Sequence, residues 1–247
     1  MQEGVIHNWD ERRNVIIAGD AEKTITFAAE HWIHSAKRAI QQRGKFAVAL
    51  SGGSTPKAIY QALLAKHRHS LNWNQVFLFW SDERAVPPNS PESNYGMAMQ
   101  CGFSGLPIPT TQIFRMHAEK NIEQAANDYS EIIERTLGPQ LFDLVMLGVG
   151  EDGHTASLFP NTDALLETKK LAIANEVHDL NQKRMTLTFP CIQQSKEAAI
   201  IAIGKSKQSI IPLVLQAAII SPFPASRIGT AEKKALWILD HEAAHLI

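Results

Sequence analysis

The 247-residue sequence has no excess of charge of either sign. It contains 24 Lys and Arg against 25 Asp and Glu, which gives a formal net charge of −1 at pH 7. Nucleic-acid-binding domains and polybasic membrane-binding modules carry clustered positive charge, and no such run occurs here. We therefore expect neither nucleic acid nor a membrane as a partner, although a local anion site is compatible with this balance.

Cysteines and long apolar runs are also scarce. Cys101 and Cys191 lack metal-ligand spacing and are too few for a disulfide framework, so reduced thiols in a cytoplasmic protein are expected. Residues 1–14 are polar and lack the apolar segment of a signal peptide, so none is expected. The most apolar stretch, residues 210–220, is about half the ~20 residues that a membrane-spanning helix needs.

The apolar segments that are present alternate with segments of helical periodicity. Continuous apolar runs predict strands covered on both faces at residues 46–50, 76–80, 144–147, 198–203 and 235–239. Residues 185–189 alternate and predict a half-exposed or edge strand, whereas 22–42 and 122–137 predict amphipathic helices that end at glycines. The alternation predicts an α/β fold: a single Rossmann-like domain, residues 1–247, with a mostly parallel sheet covered by helices on both faces.

A glycine-rich loop follows the first of these strands. Residues 51–57 read Ser-Gly-Gly-Ser-Thr-Pro-Lys, and the two glycines allow the backbone to approach a ligand closely. Ser54 or Thr55 is expected to cap the following helix, whose N-terminus offers free N–H groups and a partial positive charge. The loop predicts a phosphate cradle formed by Gly52, Gly53, Ser54 and Thr55. An ordinary capped turn is the alternative.

A second glycine loop resembles a dinucleotide-binding pattern, since residues 148–153 read Gly-Val-Gly-Glu-Asp-Gly. Glu151 and Asp152 would repel a pyrophosphate, and Pro160 leaves too little room for a crossover helix. The pattern instead favours a tight turn that presents His154 beside Asp152 at the carboxyl end of a strand. Histidine is the natural base near neutral pH, and a carboxylate can orient it. A plain polar loop residue is the alternative.

Charged side chains follow two further strands at the same predicted edge of the sheet. Residues 82–84 read Asp-Glu-Arg, and Arg84 offers a planar fork for a phosphate or for an oxygen that gains charge. The alternative is a solvated loop with a local ion pair of little energetic value. Residues 204–207 read Gly-Lys-Ser-Lys, so Lys207 could add a positive charge to the same phosphate. The paired carboxylates of these loops could hold Mg²⁺, but no spacing supports a transition metal, and no obligatory metal is expected.

Four segments together resemble the 6-phosphogluconolactonase family. They are the Ser-Gly-Gly-Ser-Thr-Pro-Lys loop, residues 81–87 with Ser93-Asn94, the run from Leu147 to Pro160, and Arg-Met-Thr-Leu-Thr at 184–188. Glucosamine-6-phosphate deaminases are similar and share Gly-Glu-Asp-Gly-His. They differ in continuing with Ile-Ala-Phe-Asn and in having Asp-Glu-Tyr at residues 82–84.

The resemblance implies hydrolysis of 6-phospho-D-glucono-1,5-lactone to 6-phosphogluconate in the oxidative pentose phosphate pathway, without a cofactor. The residues it implies for phosphate binding are Gly52, Gly53, Ser54, Thr55, Arg184 and Lys207. His154 would take a proton from the attacking water, and Arg84 would stabilise developing charge or help to hold the phosphate. Either Asp82 or Asp152 would orient His154 or a substrate hydroxyl.

Two other functions stay open at this point. One is a deaminase or isomerase of an amino-sugar phosphate, and the other is a non-catalytic sugar-phosphate sensor of the kind fused to DNA-binding regulators. No basic helix-turn-helix segment supports the sensor, and no Gly-x-Ser-x-Gly elbow indicates a serine hydrolase. We expect a monomer, with a dimer as the alternative.

Overall fold

Strands and helices alternate along the chain in the computed structural model, which describes residues 1–218 and 221–247. The strands are β1 (His7–Asn8), β2 (Arg13–Ile17), β3 (Phe46–Leu50), β4 (Val76–Trp80), β5 (Asp82–Arg84), β6 (Leu144–Leu147), β7 (Ala172–Val177), β8 (Gln182–Leu187), β9 (Ala198–Ala202) and β10 (Ala235–Leu239). The α-helices are α1 (Ala21–Arg43), α2 (Ser54–His67), α3 (Asn94–Gln100), α4 (Ile122–Leu137), α5 (Phe189–Gln194) and α6 (Ile210–Gln216). The α/β class predicted from the sequence is confirmed.

The central sheet has seven strands in the order β1-β2-β10-β9-β6-β3-β4. All neighbouring strands in it are parallel except β1, which pairs antiparallel with β2 at one edge. In the middle of the sheet, Ala49 of β3 pairs with Phe79 of β4 on one side and with Val145 of β6 on the other. The continuous apolar runs therefore form parallel strands, as predicted.

Helices cover both faces of this sheet, because successive side chains of each strand point to opposite faces. In β3, Val48 and Leu50 pack in one apolar cluster with Trp32 of α1. Ala49 belongs to the cluster on the opposite face, which includes Tyr129 of α4. The predicted cover on both faces is confirmed.

The start of α2 differs from the prediction that Ser54 or Thr55 caps it. Gly53 is the N-cap residue, with φ of 104°, and no side chain caps the helix. Ser54 already lies in the first turn, so its hydroxyl is past the position from which a cap accepts. The first N–H groups of α2 are therefore left without a side-chain acceptor.

A second sheet, which the sequence did not reveal, lies beside the first. It is antiparallel, with three strands in the order β5-β8-β7. The segment predicted as a half-exposed or edge strand is the middle strand of this sheet, and Met185 and Leu187 are fully buried. That prediction is wrong because β8 pairs with a strand on each side. One of these partners, β5, has only three residues, which is too short to show the alternation of apolar and polar residues that predicts a strand.

Among residues 1–218 and 221–247, no helix is both long and apolar enough to cross a membrane.

Candidate active site

Most of the predicted site residues meet in a cleft of about 240 Å³ at the carboxyl ends of β3 and β6, where β4 passes into β5. The predicted residues that line it are Gly52, Gly53, Asp82, Arg84, His154, Arg184 and Lys207. Ser54 lines an adjoining cleft of about 430 Å³, which shares Gly53, Arg84 and Arg184 with the first. Thr55 is half-buried and lines neither of these two clefts.

A tight turn after β6 presents His154. The N–H of Gly150 donates to the carbonyl of His154 at 2.9 Å, and the N–H of Gly153 donates to the carbonyl of Gly150 at 3.0 Å. Gly153 has φ of 80°, in the left-handed region that favours glycine. A Cβ on Gly150 would overlap the His154 ring, so a larger residue at this position would have to displace the ring. No α-helix lies between this loop and β7. A dinucleotide-binding fold needs a crossover helix at this point, so the structure agrees with the sequence argument against that fold.

The His154 ring is fixed on two sides. Its Nδ1 lies 2.6 Å from Oδ1 of Asp152, and the ring stacks on Phe159 with 4.0 Å between centroids. Burial opposes ionisation of Asp152, but hydrogen bonds from His154 outweigh it and hold the pKa of this carboxyl below its ordinary value. With Nδ1–H donating to Asp152, Nε2 is left as the basic nitrogen, and the side chain is 30% exposed.

Asp82 has different partners from Asp152, although the sequence left both as candidates to orient His154. The Ser157 hydroxyl donates to Oδ2 of Asp82 at 2.7 Å, and the amide of Asn94 donates to Oδ1 at 3.2 Å. Asp82 is almost fully buried beneath the cleft. The carboxylate that bonds His154 in this structure is Asp152.

Two arginines face each other at the cleft. Arg84 of β5 and Arg184 of β8 are register partners across the second sheet. Burial, and then the neighbouring charge of Arg84, lower the pKa of the Arg184 guanidinium, and its Nε is buried without a hydrogen-bond partner among the described residues. Like charges directly opposite each other destabilise a sheet. An anion between them would remove that repulsion, so the pair favours an anionic ligand.

Further positive groups surround this position. The uncapped N-terminus of α2 lies on one side, and Lys57 lines the adjoining cleft with both arginines. Lys207 lines the cleft from the turn that follows β9. This turn is anchored by Asp240, whose carboxylate accepts the N–H of Gly204 at 3.0 and 3.1 Å.

Several residues at the site were not assigned a role from the sequence. They are Lys57, Glu83, Asn94, Ser157 and Phe159. Ser157 and Phe159 lie in the run from 147 to 160 that carries the family resemblance, which could have identified them. Lys57 lies one turn into α2, and this position beside the predicted cradle could have identified it. Glu83 accepts the N–H groups of Arg84, Asn94 and Tyr95 and the hydroxyl of Ser93.

Glu83 therefore organises the loop and does not face a ligand. Burial raises the pKa of its carboxyl, against the four hydrogen bonds that favour the ionised form. Within residues 1–218 and 221–247, no group of three His, Cys, Asp or Glu side chains is placed to hold a metal ion.

Taken together, the parallel sheet, the uncapped helix N-terminus and the histidine loop define an α/β protein with a cleft lined by positively charged groups at the carboxyl ends of its strands. The family model of glucosamine-6-phosphate isomerases/6-phosphogluconolactonase matches residues 19–237, and the chain belongs to this family. It is 40% identical over 238 residues to the 6-phosphogluconolactonase of Chlamydia pneumoniae, covering 96% of this chain and 91% of that protein.

Solved structures agree with this placement. The 6-phosphogluconolactonase from Trypanosoma cruzi superimposes with a TM-score of 0.84 at 28% identity, covering 94% of this chain and 96% of that chain. A monomeric glucosamine-6-phosphate deaminase superimposes with a TM-score of 0.81 at 21% identity, covering 94% of this chain and 99% of that chain. At that identity, the deaminase shows the shared fold alone.

Proposed function

We propose that this chain is a 6-phosphogluconolactonase, which hydrolyses 6-phospho-D-glucono-1,5-lactone to 6-phosphogluconate in the oxidative pentose phosphate pathway. The observation that carries the proposal is the His154–Asp152 pair in one cleft with two opposed arginines and a helix N-terminus. A base and an anion site in one cleft suit a substrate with an ester carbonyl at one end and a phosphate at the other. The similarity to curated 6-phosphogluconolactonases over most of the chain supports the same substrate.

The phosphate binds at the start of α2. Backbone N–H groups of Gly52, Gly53, Ser54 and Thr55 donate to it, because an uncapped helix N-terminus favours an anion. Arg184 and Lys207 supply positive charge, as the resemblance implies, and Lys57 adds a third cation. These contacts are alike in the ground state and the transition state, so they set KM more than kcat.

The chemistry takes place at the lactone carbonyl. Nε2 of His154 removes a proton as a water oxygen attacks C1, and Asp152 stabilises the imidazolium through Nδ1–H. Arg84 donates to the oxygen that gains negative charge. The tetrahedral intermediate collapses by breaking the bond between C1 and the ring oxygen, which takes the proton back from His154.

The magnitudes suit a substrate that already hydrolyses in water. A positioned general base contributes typically 10²–10⁴-fold. A preorganised donor to developing charge contributes roughly 3–4 kcal/mol. This combination needs no covalent intermediate, and no step in it calls for a metal or a cofactor.

The proposal is tested with freshly prepared lactone in a pH-stat, with the spontaneous rate subtracted. We expect the wild type to accelerate acid release and His154→Ala to lose about 10²–10⁴-fold in kcat. His178→Ala is the matched control, since this histidine is exposed and lies outside the cleft. Near-normal kcat in His154→Ala would contradict the base assignment, and an unaccelerated wild-type reaction would contradict the lactonase function.

Two further measurements separate the other candidate functions. Release of ammonia from glucosamine 6-phosphate would identify a deaminase, and tight binding of the phosphosugar without turnover would identify a sensor. We also propose a monomer in the cytoplasm. The free thiols of Cys101 and Cys191 support that compartment, and size-exclusion chromatography with light scattering tests the monomer.

A further inference from the structure

Asn94, the first residue of α3, is a buried polar side chain that the proposed mechanism does not use. It is 1% exposed and lies on the boundary between the two adjoining clefts. We propose that Asn94 is a positioning residue, which fixes the Arg84 guanidinium over the reacting carbonyl and supports the phosphate cradle at Gly52. This inference rests on the proposed lactonase function for its kinetic consequences, but not for its structural ones.

The carboxamide of Asn94 joins the two ends of β5. Its Nδ2 donates to the backbone carbonyl of Asp82 at 2.9 Å and to the Asp82 carboxylate at 3.2 Å. Its Oδ1 accepts from Nη1 of Arg84. Since only the NH₂ group can donate to the two Asp82 oxygens, the orientation of the amide is determined and Oδ1 must face Arg84.

Arg84 requires such a partner. It is opposed across the strands by Arg184, and repulsion between the two guanidinium groups would drive its flexible side chain out of the cleft. Two acceptors hold it in place, namely Oδ1 of Asn94 and the carbonyl of Glu92 at 2.9 Å. Of these, only Asn94 is also bonded to the Asp82 carboxylate beneath the cleft.

Asn94 is itself held before any substrate binds. Its N–H donates to the buried carboxylate of Glu83 at 2.8 Å, and Ser93 caps α3 immediately before it. A donor that is fixed in advance reorganises little when charge develops, which is the condition for effective electrostatic stabilisation.

The cradle is in contact with the same side chain. A Cβ added to Gly52 would overlap the Asn94 carboxamide, so the backbone of the cradle lies directly against it. Asn94 thus touches three parts of the proposed machinery: the phosphate cradle, the buried carboxylate and the arginine.

The kinetic test is a double-mutant cycle of Asn94→Ala with Arg84→Ala. We expect Asn94→Ala alone to lower kcat/KM by about 10- to 100-fold, mainly through kcat. A displaced Arg84 guanidinium would no longer stabilise the negative charge that develops in the transition state. In the Arg84→Ala background, the same substitution should have less than about a 3-fold further effect on kcat, since its contact with the cradle at Gly52 acts on KM. If the double variant loses as much kcat as the product of the two single losses, the positioning role is overturned.

Ser93→Ala is the matched control for a purely structural effect. Ser93 is equally buried, caps the same helix and donates to the same Glu83, but the structure gives it no bond to Arg84. We expect Ser93→Ala to reduce Tm as Asn94→Ala does, while kcat/KM stays within about 3-fold of wild type below Tm. A loss of kcat/KM in Ser93→Ala as large as in Asn94→Ala would overturn the proposal.

A second readout needs no lactone. In protein with ¹⁵N-labelled arginine, the Nη signals of Arg84, assigned by their loss in Arg84→Lys, should be separate in the wild type and averaged in Asn94→Ala. Separate signals that persist in Asn94→Ala would overturn the positioning role. If they average while the wild type fails to hydrolyse lactone, the positioning role is supported and only the proposed function fails.

Discussion

At the scale of single residues, the site depends on close backbone approach as much as on its charged groups. Gly52 lies against Asn94, and Gly150 lies against the His154–Asp152 pair. Both glycines are in loops that directly follow buried strands, β3 and β6, so neither backbone is free to move away from its neighbour. Small changes at these glycines should therefore act on the reacting groups rather than on the core.

Gly150→Ala tests this argument at the histidine. The added methyl would overlap Nδ1 of His154 and displace the ring from Asp152, so we expect kcat to fall by about 10²-fold. The measurement is the lactone hydrolysis rate, together with Tm by differential scanning calorimetry.

Gly148→Ala is the stability control in the same loop, since its Cβ would meet nothing within 4 Å and its φ is outside the left-handed region. Its Tm should stay within about 2 °C of wild type. Undiminished kcat in a folded Gly150→Ala protein would show that the His154–Asp152 contact is not needed for turnover.

At the scale of elements, the sequence predicts what depends on local pattern. The buried strands, the ends of α1 and α4 at Gly44 and Gly138, and the meeting of strand ends at one edge all follow from periodicity, glycine positions and parallel topology. The bond between His154 and Asp152 lies within one loop, and its short span made it a candidate from the sequence.

What the sequence does not predict depends on partners distant along the chain. The three-residue β5 becomes a strand only because it pairs with β8, about a hundred positions later. The choice between Asp82 and Asp152 was open for the same reason, since Ser157 and Asn94 reach Asp82 only in the folded chain. The proposed role of Asn94 likewise cannot be inferred from the sequence, because it depends on three tertiary contacts.

One ion-pair cluster joins α1 to the segment before β9 and gives a prediction with a defined pH dependence. Glu197 accepts from Arg38 at 2.9 Å and from Ser35 at 3.2 Å, and Nε2 of His31 lies 2.7 Å from its other oxygen. Burial opposes ionisation of Glu197, but these partners on α1 outweigh it and hold its pKa below the ordinary value of 4.5. We expect Glu197→Gln to lower the free energy of unfolding by about 1–3 kcal/mol at pH 7.5.

The sign of the pH dependence follows from the lowered pKa. A carboxyl with a lower pKa in the folded state stabilises the fold above its unfolded pKa, and this contribution is lost as pH falls through the folded value. The difference between wild type and Glu197→Gln in urea unfolding should therefore shrink as pH is lowered below about 4.5. Glu30→Gln on the same helix is the control. Glu30 is 44% exposed and pairs with the exposed Lys66, so this change should alter stability by less than about 0.5 kcal/mol. A difference that grows at acidic pH would contradict the assignment.

At the scale of the whole molecule, the two sheets share one apolar cluster. Met185 and Leu187 of the second sheet pack in the same cluster as Ala49 and Val145 of the central sheet. Tyr129 of α4 also belongs to this cluster. Only Ser81 separates β4 from β5, so the chain passes from one sheet to the other without a linker. The cleft lies at this junction, so a ligand there contacts loops from both sheets.

This arrangement predicts one unfolding transition and its response to ligand. Because the two sheets share a cluster, they should unfold together. Far-UV circular dichroism reports the secondary structure of the whole chain, and tryptophan fluorescence reports the central sheet through Trp80 and Trp237, so both should give the same Tm. Because the proposed site is built from both sheets, 6-phosphogluconate at a hundred times its Kd should stabilise the fold by about 2.7 kcal/mol. That corresponds to a rise in Tm of about 5–11 °C for a chain of this size. Gluconate at the same concentration is the control, and it should give a much smaller rise because it lacks the phosphate that we propose for the cradle and the opposed arginines. Two separate transitions would contradict the single domain, and an equal rise with gluconate would contradict the phosphate site.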